Sequence, residues 1–217
     1  MKIQSVIKTI LGFLFPEGTS DALLEKTSLK DLLQTAEHQP RTVSDIISFL
    51  PYRHEVVKNL IWYLKYRNSD RARELCAKVF WEMMEEELSD KILFQGGNPY
   101  LLIPIPMSKK RLGERGYDHM LRLAQTILQK DTSKLLTPLF DCLVRSKETP
   151  PQTSIKNKEA RMKNVLGVFL VRNPESVAGK SIVLLDDVTT TGATLAEAKR
   201  VLLEAKAREV IALAIAH

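Results

Sequence analysis

Two apolar runs near the C-terminal end of the sequence constrain the fold more than any other feature. Ser181 to Leu185 and Val210 to Ala216 are almost entirely apolar and show no alternation with polar residues. Strands of this kind are buried on both faces, as in a parallel sheet. Ala193 to Ala205, between the two runs, has the periodicity of a helix. A strand, a helix and a second strand in this order predict a βαβ unit and therefore an α/β fold.

The preceding sequence extends the same pattern. A short apolar run from Tyr100 to Pro106 predicts another buried strand, and Val56 to Leu64 has helical spacing. The chain has 217 residues, of which 44% are hydrophobic, and only 9 Gly and 10 Pro, which excludes collagen, low-complexity disorder and a disulfide scaffold. This length fits one substantial domain with an appendage. We predict a mainly helical N-terminal extension over residues 1–44 and a main domain over residues 45–217.

The sequence also bears on location and metal content. It has no apolar run near the roughly 20 residues that a membrane-spanning helix needs, and Lys8 interrupts the apolar stretch from Ile3 to Phe15, which favours an amphipathic helix over a signal peptide. Cys76 and Cys142 lie far apart, which favours two buried free thiols in a reducing cytoplasm over a disulfide. Structural zinc sites are usually built on closely spaced cysteine pairs. We therefore expect a cytoplasmic protein with no membrane span and no zinc.

Basic residues are concentrated in the middle of the chain. The formal net charge is +6, and the segment from Ile105 to Val165 contains thirteen lysines and arginines against six acidic residues. A local excess of this kind predicts an anionic ligand nearby, either nucleic acid or a small polyphosphate. An ordinary solvated basic surface is the alternative.

The segment after Leu185 is the best candidate for a ligand site. Two adjacent carboxylates precede a hydroxyl-rich loop with one glycine, and the predicted helix follows. Ligands of open parallel sheets bind at the carboxyl ends of strands, and loop N–H groups beside a helix N-terminus bind phosphate. The carboxylates suit vicinal sugar hydroxyls, so we predict a site for a phosphorylated ribose. Its residues are Asp186, Asp187, Val188, Thr189, Thr190, Thr191, Gly192, Ala193 and Thr194.

Two other interpretations of this segment explain less. A capped helix alone would account for one polar residue but not for the whole cluster of carboxylates and hydroxyls. A P-loop is excluded because the Gly-Lys-Ser/Thr ending is missing.

The string from Val183 to Thr194 resembles the phosphoribosyl diphosphate (PRPP) motif of type I phosphoribosyltransferases. The wider sequence resembles the ComF family, also named GntX and known for competence proteins of bacterial DNA uptake. The matching positions are Leu50-Pro51-Tyr52-Arg53, Leu60-Ile61-Trp62-Tyr63-Leu64-Lys65-Tyr66, Ile103-Pro104-Ile105-Pro106, Arg111, Arg115-Gly116-Tyr117, Arg145, Thr149, Gln152, Arg161 and Asn164.

The resemblance implies a type I phosphoribosyltransferase-like parallel sheet flanked by helices. It also implies that the turn formed by Met107, Ser108 and Lys109 is the pyrophosphate loop. Arg111 and Arg115 would then form an anion clamp on the leaving pyrophosphate, because guanidinium groups match phosphate geometry. Solvent-exposed arginines with no ligand are the alternative for this pair.

The resemblance implies that the catalytic residues are Asp186 and Asp187. Mg²⁺ would bind mainly through the oxygens of PRPP and through water near these carboxylates, with no direct protein ligand, since this ion dehydrates reluctantly. The sequence does not identify a general base. The candidates by residue type alone are His54, His119 and His217.

The sequence departs from the family pattern at two places. The family commonly begins with a cysteine-paired zinc module after a Leu-Phe-Pro segment. Here Leu14-Phe15-Pro16 is followed by Glu17-Gly18-Thr19-Ser20, which indicates that the zinc module is lost or replaced. The usual Arg-Gly-Phe-Asn-Gln becomes Arg115-Gly116-Tyr117-Asp118-His119, so an acid and an imidazole replace the pair of amides.

These observations leave three functional hypotheses. The first is a Mg²⁺-dependent phosphoribosyltransferase linked to DNA uptake, with an unidentified acceptor. The second is a non-catalytic module that binds PRPP or a nucleotide in the same pocket and single-stranded DNA on the basic segment. Tyr117 and Phe140 are the aromatics available there for base stacking, which is thin support. The third is a structural partner of a DNA-uptake helicase, and no sequence feature supports this hypothesis directly.

Overall fold

A computed structural model of the chain describes residues 24–35, 41–43, 45–94, 97–147 and 165–217. The helices are α1 (Leu29–Thr35), α2 (Glu55–Tyr66), α3 (Asp70–Phe94), α4 (Lys109–Arg115), α5 (His119–Gln129) and α6 (Ala193–Glu204). The strands are β1 (Arg41–Val43), β2 (Ile46–Leu50), β3 (Tyr100–Pro104), β4 (Leu136–Pro138), β5 (Leu143–Arg145), β6 (Phe169–Val171), β7 (Ser181–Val188) and β8 (Glu209–Ala216). The predicted N-terminal amphipathic helix lies outside the described residues.

Six of the strands form one sheet in the order β1-β2-β8-β7-β3-β4. All neighbours are parallel except β1 and β2, which are antiparallel. β5 and β6 form a separate antiparallel pair. The structure therefore confirms the predicted α/β fold, and β7, α6 and β8 form the predicted βαβ unit. β7 runs to Val188, three residues further than predicted, so both Asp186 and Asp187 belong to the strand.

The chain changes direction within the sheet between β3 and β7. From β3 it passes through α5 to β4 on one side, and from β7 it passes through α6 to β8 on the other. Where the connections from two neighbouring strands lead in opposite directions, a gap opens between them at the carboxyl ends of those strands. This topological switch point is where open parallel sheets bind their ligands.

Helices cover the sheet on both faces, and β7 contributes to both layers of the core. Val183 and Leu185 pack with α2, α3 and α5, whereas Ile182 and Leu184 pack with α6 and the β5–β6 pair. Side chains alternate between the faces of a strand. Continuing this alternation places Asp187 on the face of α2, α3 and α5.

The described part of the N-terminal region packs on the main sheet. Leu24 and Leu32 are buried in the same core cluster as α2 and α3, and β1 pairs with β2. The predicted domain boundary after residue 44 therefore falls between two paired strands. Both cysteines are free and buried, as predicted. Among the described residues, no helix is both long and apolar enough to cross a bilayer.

Candidate functional site

The sheet opens at the carboxyl end of β7. Pairing between β3 and β7 reaches Pro104 and Leu185, and the Ile105 N–H donates to the Leu185 carbonyl at 2.8 Å. On the other side, β8 stays paired with β7 to the end, where Val188 lies opposite Ala216. The last residues of β7 therefore border a crevice where β3 has left the sheet, at the switch point of the topology.

The loop after β7 turns tightly into α6. The Thr189 N–H donates to the Ala216 carbonyl at 2.9 Å, which holds the loop against the end of β8. Gly192 is the N-cap of α6, and its carbonyl accepts from the Ala196 N–H at 2.8 Å. Thr191 Oγ1 accepts from the Ala193 N–H at 3.4 Å. Four loop residues thus separate the end of β7 from this 12-residue helix.

Gly192 is required here for two reasons. Its φ of 78° lies in the left-handed region, and a Cβ at this position would come within 2.6 Å of Ile46 Cδ1. The loop therefore lies close to the buried Ile46 side chain on β2.

The Asp187 carboxylate contacts a lysine ammonium group and an imidazole of the protein itself. Its Oδ1 lies 3.0 Å from Lys65 Nζ, its Oδ2 lies 2.6 Å from His119 Nε2, and the side chain is only 7% exposed. An Arg115 guanidinium nitrogen lies 3.2 Å from His119 Nδ1. A guanidinium can only donate, so Nδ1 accepts and Nε2 carries the proton that is donated to Asp187. Both ring nitrogens of His119 are therefore engaged, which fixes the orientation of the imidazole.

The two neighbouring carboxylates differ in their electrostatics. Burial disfavours the ionised form of Asp187, but Lys65 and the His119 hydrogen bond outweigh it and lower the pKa of this carboxyl well below its usual range. Burial and the adjacent charge of Asp187 raise the pKa of Asp186 to about 7, against the opposing effects of Lys65 and Arg145. Burial opposes the charge of Lys65, yet the carboxylates prevail and raise its pKa. The Asp187 carboxylate therefore stays ionised, whereas Asp186 changes its protonation state near neutral pH.

The segment that departs from the family pattern supports this arrangement. The Tyr117 hydroxyl donates to the Lys65 carbonyl at 2.9 Å and accepts from the Asn68 N–H at 3.0 Å, which joins the end of α2 to the start of α5. The Asp118 carboxylate caps α5 by accepting two N–H groups of its first turn. With His119 bound to Asp187, all three substituted positions have a structural role.

The predicted pyrophosphate loop is a short turn that enters α4. Ser108 is the N-cap, and its Oγ accepts from the Arg111 N–H at 3.3 Å. Met107 precedes the cap, and Lys109 is the exposed first residue of the helix. Because β3 neighbours β7, the structure places this turn at the same edge of the sheet as the loop after β7.

Arg145 and Arg115 have contacts that sequence reasoning did not identify. Arg145 Nε donates to the Pro106 carbonyl at 3.2 Å, and its guanidinium lies 5.1 Å from the centre of the Phe169 ring. The β5–β6 pair is thereby joined to the turn after β3. Arg115 lies 4.8 Å from the centre of the Tyr66 ring in addition to its contact with His119. Its guanidinium is thus engaged within the protein.

The structure brings most of the predicted site together and adds Lys65 and His119 to it. Both added residues lie in motifs that the sequence analysis named. Lys65 belongs to Leu64-Lys65-Tyr66, and His119 ends the segment from Arg115 that departs from the family pattern. The part of the chain that the structure describes contains no cluster of three or more His, Cys, Asp or Glu side chains that would hold a metal ion. Glu17 to Ser20, where the zinc module was expected to be missing, lies outside the described residues.

Comparisons with known proteins agree with this geometry. Residues 121–217 match the family model of the phosphoribosyl transferase domain. Competence protein ComFC of Bacillus subtilis (strain 168) is 36% identical over 105 residues, which are 48% of this chain and 39% of that protein. Competence protein ComFC of Streptococcus pneumoniae (strain ATCC BAA-255 / R6) is 29% identical over 136 residues, which are 63% of this chain and 54% of that protein. Residues 121–217 therefore match a phosphoribosyl transferase domain, and the chain is similar in sequence to two competence proteins.

The match to each ComFC relative thus spans about two-fifths to about half of that relative's length. Among solved structures, a hypoxanthine phosphoribosyl transferase of Trypanosoma cruzi is similar over 73% of this chain and 64% of its own, at 13% identity and a TM-score of 0.36. The matched phosphoribosyl transferase domain begins within α5 and includes β7, the loop from Thr189 to Gly192 (the glycine loop) and α6.

Replacement of Gly192 tests the tight loop. Gly192→Ala places a Cβ in the left-handed region and against Ile46, so we expect a loss of about 1–2 kcal/mol of stability from the backbone conformation and a further loss from the contact. The measurement is urea unfolding of the wild type, Gly192→Ala, Ile46→Val and the double variant. Ile46→Val shortens the side chain that the new methyl meets, so the double variant should be more stable than the sum of the two changes predicts. Strict additivity would contradict the contact.

The raised pKa of Asp186 predicts a pH dependence of folding. Its carboxyl ionises near 3.8 in the unfolded chain and near 7 in the native protein, so the native state holds more protons between these values. Stability therefore falls as pH rises through this window. Asp186→Asn removes that loss, and the variant should gain stability relative to wild type from about pH 4 to about pH 7 and then level off. Urea titrations across this range measure it, with the exposed Asp141→Asn as control. A difference that does not vary with pH would refute the titration.

Proposed function

We propose that this chain is a ComF-family protein that binds PRPP together with Mg²⁺ and transfers its phosphoribosyl group to an acceptor, in the cytoplasm and in connection with DNA uptake. The observation that carries the proposal is the position of Asp186 and the Gly192 loop at the topological switch point between β3 and β7. The matched phosphoribosyl transferase domain supports the ligand class. The link to DNA uptake comes from the relatives, both of which are named competence proteins.

Each part of PRPP corresponds to a part of the site. The 5′-phosphate suits the Thr189 to Gly192 loop, because the N–H groups at the start of α6 and the threonine hydroxyls all donate. The sugar hydroxyls suit the partly exposed Asp186 carboxylate at the crevice. The pyrophosphate suits the turn after β3, where Ser108 begins α4 and Lys109 is exposed.

The site fits Mg²⁺ only as an ion carried by the ligand. The described residues offer no cluster of three protein ligands, and the buried Asp187 carboxylate is occupied by Lys65 and His119. A cation that keeps several waters and binds phosphate oxygens needs no protein cage. Asp186 is the carboxylate available to its hydration shell. When bound, Mg²⁺ supplies positive charge that stabilises the departing pyrophosphate.

Group transfer at this site breaks the bond between C1 of the ribose and a pyrophosphate oxygen, and forms a bond between C1 and the acceptor. The pyrophosphate leaves with the electron pair, and the protein's contribution is positioning and neutralisation of charge. Lys109 and Arg111 at the start of α4 lie on the side where that charge develops. His119 is bound through both ring nitrogens, so the acceptor's proton is not assigned to it.

Single-stranded DNA binding without transfer is the second candidate, and one structural observation favours it. Arginines stack on aromatic rings along α2 and the segment beside it: Arg67 lies 5.3 Å from the centre of the Trp62 ring, and Arg115 lies 4.8 Å from that of Tyr66. Interleaved aromatic and basic side chains are typical of surfaces that bind single strands. The aromatic residues come from α2, outside the basic middle segment of the sequence. A partnership with a DNA-uptake helicase remains an expectation of the family resemblance, as does the lack of zinc.

Calorimetry with PRPP and Mg²⁺ tests the proposed site. The wild type should bind, and Asp186→Asn should weaken binding roughly tenfold or more, since hydrogen bonds to a charged acceptor are among the strong ones. Asp141→Asn, an exposed carboxylate outside β7, should bind like the wild type. Release of pyrophosphate with candidate acceptors then measures transfer. Equal affinity of Asp186→Asn and wild type would refute the assignment.

Competition between PRPP and DNA distinguishes the two candidates. Reversing the charge at Lys109, Lys110 and Arg111 should weaken binding of labelled single-stranded DNA, and the affinity should fall steeply with salt because counterions are released. If the same residues bind the pyrophosphate, saturating PRPP and Mg²⁺ should displace the DNA. DNA affinity that is unchanged by saturating PRPP would place the DNA on a different surface, for which Arg67→Glu is the matched variant.

A further inference from the structure

We infer that Lys65, His119 and Arg115 are positioning residues that hold Asp187 within the protein, so that Asp186 alone of the two carboxylates binds the sugar hydroxyls. This inference rests on the proposed phosphoribosyl site and assigns different roles to two residues that the sequence motif treats alike. It also places Arg115 behind the site, not on the pyrophosphate.

The contacts of Asp187 leave it little capacity for a ligand. One carboxylate oxygen accepts from Lys65 at 3.0 Å and the other from His119 at 2.6 Å, while only 7% of the side chain is exposed. A sugar hydroxyl would have to displace the buried imidazole or the ammonium group. Breaking a buried ionic contact of this kind costs more than one hydroxyl hydrogen bond returns.

Asp186 has the opposite surroundings. Alternation along β7 directs it to the other face of the sheet, where it follows Leu184, and it is partly exposed at the crevice. One of its oxygens accepts from the Asp187 N–H at 2.9 Å, which orients the carboxylate. A carboxylate has about four acceptor positions, so Asp186 retains the capacity to accept from two vicinal hydroxyls.

The partners of Asp187 are themselves fixed by residues far away in the sequence. The Tyr117 hydroxyl binds the Lys65 carbonyl, and the Tyr66 ring packs against Arg115, whose guanidinium contacts His119 Nδ1. The end of α2 and the start of α5 thus meet on the buried carboxylate, and the end of α4 contacts the imidazole. Loss of Lys65 would leave two adjacent carboxylates without the ammonium that neutralises them, which favours a protonated Asp186 that no longer accepts two hydrogen bonds.

The test measures how the protein recognises each hydroxyl, using ribose 5-phosphate and its 2-deoxy and 3-deoxy analogues as probes in calorimetry. The wild type should bind ribose 5-phosphate roughly tenfold or more tightly than either analogue. Asp186→Asn should reduce both ratios to about one. Asp187→Asn should keep both ratios above about five even where overall affinity falls. A ratio that collapses in Asp187→Asn but persists in Asp186→Asn would overturn the inference, because Asp187 would then contact that hydroxyl.

Conservative variants separate positioning from simple stability. Lys65→Met should weaken ribose 5-phosphate binding roughly tenfold, and Lys65→Arg should restore most of that loss because it keeps the charge. Lys58→Met, an exposed lysine on the same helix, is the matched control and should bind like the wild type. Lys65→Met with wild-type affinity would contradict the positioning role.

Nitrogen NMR of the histidine rings tests the buried contacts without any ligand. We expect His119, identified by the signals missing from His119→Gln, to be a single tautomer with its proton on Nε2. Arg115→Met should keep this tautomer, because the Asp187 carboxylate can only accept from Nε2. A wild-type ring with its proton on Nδ1, or with mixed tautomers, would overturn the arrangement around Asp187. Absence of ribose 5-phosphate binding to the wild type, with the NMR result as expected, would instead refute the phosphoribosyl site and the role of Asp186.

Discussion

The arrangement of the molecule depends on β7, which parallel neighbours pair on both sides. Such a strand is buried on both faces, so its residues alternate between two apolar layers until the sheet opens. The two carboxylates occupy the first positions beyond that apolar stretch, and alternation directs them to opposite faces. One of them must therefore lie against the helices of a buried layer, where an ionised group is costly unless it is paired.

The helices on that layer supply the pairing. Lys65 at the end of α2 and His119 at the start of α5 both bind Asp187, and the resulting network keeps this carboxyl ionised while its neighbour Asp186 titrates near neutrality. The connections α2–α3 and α4–α5 are consequently joined to the end of β7. The glycine loop also packs close to β2, two strands away from β7 in the sheet, since a Cβ on Gly192 would meet the Ile46 side chain.

Much of the fold could be predicted from the sequence because its central elements are strongly patterned. β3, β7, α6 and β8 appear as continuous apolar runs or a clear helical period, and the structure confirms them. β2 and the β5–β6 pair were not predicted, because they are short segments whose character comes from their partners. Ile46 to Leu50 becomes a strand by lying beside β8, and Leu143 to Arg145 by pairing with Phe169 to Val171.

The sequence by itself determined the local order of the site: a buried strand, two carboxylates, a hydroxyl-rich loop with a glycine, and a helix N-terminus. That order depends only on neighbouring residues, which local propensity and periodicity describe. Tertiary structure decided which carboxylate is bound by the protein and which faces the crevice, and that Tyr117 and His119 have structural partners. The physical reason is that alternation separates the two carboxylates but does not show which face brings a lysine and an imidazole. The lysine and the imidazole come from distant parts of the chain, and their positions depend on packing that a local sequence pattern does not predict.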